Sequence, residues 1–165
     1  MHKHLYFICP TDHLETIVNE TFQGDNYFVT TLGNSITFDL SVSDEISNLI
    51  ESKGIKEVTF LLADDNQIVT DALQNQRFSE IKGLNNLYIE VAKKTSYSKM
   101  LWLTSSHSIS MLSYYLNIKA NELRPRLYPW LLDTLKIHTQ IYRRANQTFS
   151  KIAGDLLHMN LPSLN

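Results

Sequence analysis

Short apolar runs alternate with polar, helix-periodic segments through most of this chain. Lys3–Cys9 is a continuous aromatic and aliphatic run stopped by Pro10, the pattern of a strand buried on both faces. In His13–Phe22, Leu14, Ile17 and Val18 share one helical face, and Asp12 stands where an N-cap belongs. Asn26–Leu32 reads as a second strand ending at the Gly33-Asn34 turn. The next helix carries Ile46, Leu49 and Ile50 on its buried stripe. Ser41 and Asp44 resemble a capping box at its start, and Gly54 has the position of a C-terminal cap. Glu57–Ala63 is a third apolar run, and Asp64 or Asp65 is placed to cap a helix running through Gln74. Strand, helix, strand, helix, strand with short links predicts an α/β fold with a mostly parallel central sheet flanked by helices.

The second half is less regular. Phe78–Lys94 and Ser108–Leu123 read as helices, the first interrupted by Gly83. Residues 98–106 fit either strand or buried helix, and Pro125 and Pro129 break the second helix. Leu135–Arg143 alternates apolar and polar positions as a strand does, and Thr148–Ile152 is its expected hairpin partner. The strand over 135–143 is expected at an edge of the sheet. The segment after Gly154 reads as a tail with room for a short helix. No repeat, linker or low-complexity stretch divides residues 1–165, so a single domain is expected.

Composition narrows the partners. The 165 residues carry 15 basic and 17 acidic side chains, a net charge of −2, which argues against nucleic acid or an anionic membrane as an obligate partner. No apolar run approaches the length of a membrane span. Cys9 is the only cysteine, which excludes an intrachain disulfide and suits a cytoplasmic location.

Candidate chemistry collects at the strand ends. Cys9 could serve as metal ligand or nucleophile, or fill a buried position as a small apolar side chain. His13 beside Asp12 could act as a base oriented by a carboxylate, although capping explains Asp12 as well. Asp64, Asp65 and Asn66 could hold a hard cation through oxygen, or form a capped, solvated turn. His2 and His4 read as solvated terminal residues and His138 as a structural one.

Three stretches, in order and spacing, resemble the β-class carbonic anhydrases. The first is Phe7-Ile8-Cys9-Pro10-Thr11-Asp12-His13. The second is Gly24-Asp25-Asn26-Tyr27-Phe28-Val29-Thr30-Thr31-Leu32-Gly33-Asn34, followed at the next strand end by Leu61-Leu62-Ala63-Asp64-Asp65-Asn66-Gln67. The third is Leu135-Lys136-Ile137-His138-Thr139-Gln140-Ile141-Tyr142. The resemblance implies the family's α/β fold over nearly the whole chain, and a zinc site in which Cys9 is the first ligand. Ala63 then stands at the family's histidine and Asn66 at its second cysteine. Thr11 and His13 replace its Asp-x-Arg pair, and Thr30 its arginine. With only one of the family's ligands kept, no cofactor is expected, and zinc only if the site has been rebuilt.

Three readings follow. One is a carbonic-anhydrase-like pseudoenzyme that has lost zinc and CO2 hydration and binds a small anion, a small molecule or a protein in the old cleft. Another is an enzyme with a rebuilt site around Cys9, Asp12, His13, Asp64 and Asp65. The third is a plain α/β interaction module. The aromatic-rich segment 97–115 points to a homodimer.

Overall fold

The computed structural model describes residues 2–98 and 107–152. The ambiguous stretch 98–106 therefore lies almost wholly outside the described residues, as does the tail after Gly154. Five strands form one sheet in the order β2-β1-β3-β4-β5. They are β1 (Lys3–Ile8), β2 (Asp25–Thr30), β3 (Glu57–Ala63), β4 (Lys136–Arg143) and β5 (Thr148–Lys151). The first four are parallel, and β5 pairs antiparallel to β4 as a hairpin. β4 is thus an interior strand, with β5 taking the edge, because the hairpin supplies its outer partner.

Six helices are described: α1 (Glu15–Thr21), α2 (Leu40–Lys53), α3 (Gln67–Leu73), α4 (Asn85–Ser98), α5 (His107–Leu123) and α6 (Pro129–Leu132). The two sheet faces are unequal. Leu5, Phe7, Cys9, Val58, Phe60 and Leu62 point into the larger core with side chains of α2, α3, α4 and α5. Tyr6, Ile8, Leu61 and Tyr142 form a smaller cluster with Leu14, Val18, Phe28 and Phe149. Apolar positions on both sides of β1 and β3 explain why these runs showed no alternation.

Several helix starts differ from expectation. Asp12 does not cap a helix from His13. Pro10–Asp12 makes a 3-10 turn, His13 takes a left-handed conformation at φ 53°, and α1 begins at Glu15. Asp39, not Ser41, caps α2, its carboxylate accepting from the Val42 N–H at 2.9 Å. Gly54 closes that helix at φ 65°, as read from sequence. Asn66, not Asp64 or Asp65, caps α3 by accepting from the Val69 N–H at 2.9 Å. Gly83 lies in a separate 3-10 turn, Lys82–Leu84, ahead of α4. His4 is not solvated. It is buried and stacked on Tyr6 with ring centroids 4.1 Å apart. Burial lowers its imidazole to about 4, despite the opposing pull of Glu57.

The β1–β3 ladder runs from His4↔Glu57 to Phe7↔Phe60. Just beyond it the strands are joined by a side chain. Asn34 Nδ2 donates to the carbonyls of Phe7 and Leu61, both at 3.1 Å. Asn34 is fully buried at φ 54°, a left-handed conformation that asparagine tolerates better than most residues. Its own carbonyl accepts from the Tyr115 hydroxyl at 3.0 Å, which ties the turn to α5. Asn34→Ala removes both strand-end bonds and leaves a β-carbon in the left-handed region. The expected loss is about 2–4 kcal/mol of stability by urea unfolding. Asn34→Gly, which relieves the conformational part, should lose less.

Candidate functional site

The C-terminal ends of β1 and β3 meet over the turn at Gly33-Asn34. The sharp Pro10–Asp12 turn folds the chain back across these ends. Cys9 is fully buried. Its Sγ accepts from the Gly33 N–H at 3.1 Å and lies 3.0 Å from Thr11 Oγ1. At Gly33, φ 57°, a side chain would be strained by the left-handed backbone and its β-carbon would press on Ile68 at 3.0 Å and Leu87 at 3.1 Å.

Asp12 is the central group. Its Oδ2 accepts from the Ala63 N–H at 2.9 Å and its Oδ1 from Asn66 Nδ2 at 2.8 Å. Asn66 holds this pose because its Oδ1 is occupied as the α3 cap. Burial pushes the Asp12 carboxyl up to about 6. The two hydrogen bonds and the Arg144 charge oppose that rise, and the Asp65 charge adds to it. Arg144, just past β4, straps the loops together. Its guanidinium donates to the Asp12 carbonyl and to Asp65 Oδ1, each at 2.7 Å, and its N–H to Asp64 Oδ1 at 3.3 Å.

The structure therefore brings Cys9, Asp12, Ala63 and Asn66 to one place. It sets His13 apart: its side chain is exposed on the outer side of the turn, so the Asp12–His13 dyad is not formed by the carboxylate, which points inward to Ala63 and Asn66. Asp65 pairs with the Arg144 guanidinium and Asp64 accepts from the Arg144 backbone N–H. Arg144 and Asn34 were the residues missed as site members. The available signal was a basic residue just beyond the end of a strand neighbouring the acidic end of β3.

The zinc implied by the resemblance does not fit the donors at these positions. A zinc site uses three or four thiolate, imidazole or carboxylate donors in a tetrahedron. Ala63 has no donor atom. Both ends of the Asn66 amide are already hydrogen-bonded, and Asp12 binds the Ala63 N–H and Asn66 rather than facing an open position. Among the described residues, neither Cys9 nor Asp12 belongs to a cluster of three potential metal ligands.

No protein-family profile matches the chain, and no curated protein does. Solved structures do match. The β-carbonic anhydrase CafA of Aspergillus fumigatus superposes with a TM-score of 0.75 at 14% identity, over 93% of this chain and 76% of that one. A tetrameric β-carbonic anhydrase of Sordaria macrospora gives 0.75 at 12% identity, over 92% and 81%. The Coccomyxa β-carbonic anhydrase solved with acetazolamide gives 0.67 at 14%, over 92% and 72%. The chain has the β-carbonic anhydrase fold. At these identities the likeness extends to the fold and leaves the activity to be argued from this chain's own residues.

The buried Asp12 carboxyl makes stability depend on pH. Its folded value, about 6, lies above the ordinary 3.8, so the folded state holds its proton more tightly than the unfolded chain. The Asp12 contribution is fully present below about pH 4 and is lost as pH rises through about 6, on the order of 1–3 kcal/mol. Urea midpoints measured across this range should carry this falling component, and Asp12→Asn should remove it.

Proposed function

We propose that this protein is a non-catalytic member of the β-carbonic anhydrase fold, which holds no zinc at the ancestral position and does not hydrate CO2. The single observation carrying this reading is the hydrogen-bonded closure at the strand ends. Asp12 bridges Ala63 and Asn66 where the resemblance puts the second and third metal ligands. An open zinc site lowers the pKa of a bound water to about 7 and so makes a hydroxide nucleophile. Here the buried thiol and carboxylate are held by Gly33, Ala63 and Asn66 instead. Both groups are buried, Cys9 at 0% and Asp12 at 2% exposure. That also disfavours Cys9 as an attacking thiolate and the rebuilt-enzyme reading built on Asp12, His13, Asp64 and Asp65.

The function left to such a site is binding. The surface over the closure is made by Thr11 and His13 on one loop and Asp65 and Arg144 on the others, all at the sheet end where α/β folds place their ligands. A protein segment or a small anion at this rim is the reading we favour over a plain α/β module, because three loops converge there through Arg144. No helix is long and apolar enough to cross a membrane. With a single buried thiol, a cytoplasmic setting is proposed.

Stopped-flow assays should show no CO2 hydration above background. After incubation with Co2+, no thiolate-to-cobalt absorption should arise from Cys9. Either signal in the wild-type chain overturns the reading. The double substitution Ala63→His with Asn66→Cys should create thiolate-ligated zinc at about one equivalent after dialysis. Activity should remain low, because Thr11 and His13 still stand in place of the family's Asp-x-Arg pair.

We also propose a homodimer. Leu40, Phe78, Ile81, Ile89 and Trp130 are large apolar side chains exposed on the single chain, and the Sordaria relative in fold is a tetramer. A stable pair should bury at least about 1,200 Å² in total. Light scattering across a wide concentration range should give twice the chain mass, and a monomer throughout would rule the dimer out.

A further inference from the structure

At the opposite end of the sheet, three imidazoles surround one carboxylate. The register sets His4 beside Glu57 and His138 beside Thr59, so these side chains share the face that carries Tyr6. The Glu57 Oε2 atom lies 3.8 Å from His2 Nε2, 3.8 Å from His4 Nδ1 and 3.6 Å from His138 Nε2. These separations are too long for hydrogen bonds. Among the described residues no hydrogen bond reaches this half-buried carboxylate. Each imidazole approaches the same carboxylate oxygen at a distance somewhat longer than the spacing between two ligands of one metal ion.

We propose that His2, His4 and Glu57 bind a divalent transition-metal ion of the zinc type at the N-terminal edge of β1 and β3. Their ligand atoms all lie within 4.8 Å of one another, which holds for no other group of three such residues among those described. Donors around a tetrahedral zinc with bonds of ~2.0–2.1 Å sit ~3.3–3.5 Å apart. Side-chain rotations must close the present separations, 3.8 Å from each imidazole to Glu57 and at most 4.8 Å within the set, to that spacing. Two imidazoles and one carboxylate form a donor set suited to zinc and its neighbours rather than to calcium or magnesium. Lys136 and Lys151 lie close enough to act on His138. Their charge works against a bound cation, so the ligand bonds must outweigh it.

The orientation of each ligand is set by a second contact. His4 Nε2 and Thr59 Oγ1 are 2.8 Å apart in a buried hydrogen bond. That leaves Nδ1 directed to the site, the arrangement by which a ligating histidine is fixed through its other nitrogen. Stacking on Tyr6 holds the same ring in plane. His2 is anchored through its backbone, its carbonyl accepting from the Asp25 N–H at 3.0 Å. Gly24, at φ 133°, permits that approach, since a β-carbon there would stand 2.3 Å from the His2 oxygen. The exposed His2 edge leaves a coordination position open to solvent, while His138 flanks the carboxylate from the β4 side.

The experiment titrates the untagged chain with Zn2+ by calorimetry and with Co2+ by visible absorption. Wild-type protein should take up about one equivalent, with a cobalt spectrum of nitrogen and oxygen ligation and no thiolate band. His2→Ala and Glu57→Gln, both at partly exposed positions, should each weaken binding at least tenfold while keeping the wild-type urea midpoint. Thr59→Val should weaken it by about 10–100-fold through loss of the His4 anchor. Cys9→Ser should bind as wild type does, which separates this site from the Cys9 position. The proposal is overturned if wild-type protein shows no saturable Zn2+ binding. It is equally overturned if His2→Ala and Glu57→Gln bind as tightly as wild type, or if binding is lost in Cys9→Ser.

Discussion

The arrangement at the strand ends depends on how β1 and β3 are joined once their ladder stops. Parallel strands diverge at their ends, and buried carbonyls there need donors. Asn34 supplies two from one amide, to Phe7 and Leu61. Its left-handed backbone aims the side chain between the strands while Gly33 beside it donates to Cys9. Tyr115 then fixes the same turn to α5. One five-atom amide thus couples the two central strands, the thiol position and the helix layer. No apolar residue could replace it without leaving those carbonyls short of partners.

On the next layer outward, Asp12 does for the N–H of Ala63 what Asn34 does for the carbonyls. In a metal site the ion organises its ligands. Here a carboxylate, an amide and a backbone N–H organise one another, and Arg144 ties the Asp12 loop to the Asp64-Asp65 turn. The closure keeps a charge-bearing group deep in the protein at the expense of desolvation, which hydrogen bonding partly offsets. Polar contacts from Asp12 to Ala63 and Asn66 thus bridge the strand ends.

The two ends of the sheet now differ in kind. The C-terminal end is closed by hydrogen bonds through Asn34, Asp12 and Arg144, although Thr31 Oγ1 and Asn34 Oδ1 stay buried there without a partner among the described residues. The N-terminal end gathers His2, His4 and His138 around Glu57 at distances no direct hydrogen bond explains. Both situations arise from the same parallel register, which lines up residues of β1, β3 and β4 across one face.

The α/β class, the parallel strands and the hairpin at the end were legible in the sequence, because burial on both faces writes itself as unbroken apolar runs and hairpin alternation as period two. That Ala63 offers no metal donor was legible too, since an alanine lacks a donor atom in any conformation. Capping was read less well: Asp39 and Asn66 took the roles assigned to Ser41 and to Asp64 or Asp65, as several polar residues in succession can each cap and only the chain's direction selects one. The inward turn of Asp12, the strap made by Arg144 and the burial of His4 were decided by tertiary structure alone. Each depends on groups from 51 to 132 residues away along the chain, and hydrogen-bond partners that distant leave no periodicity in the local sequence.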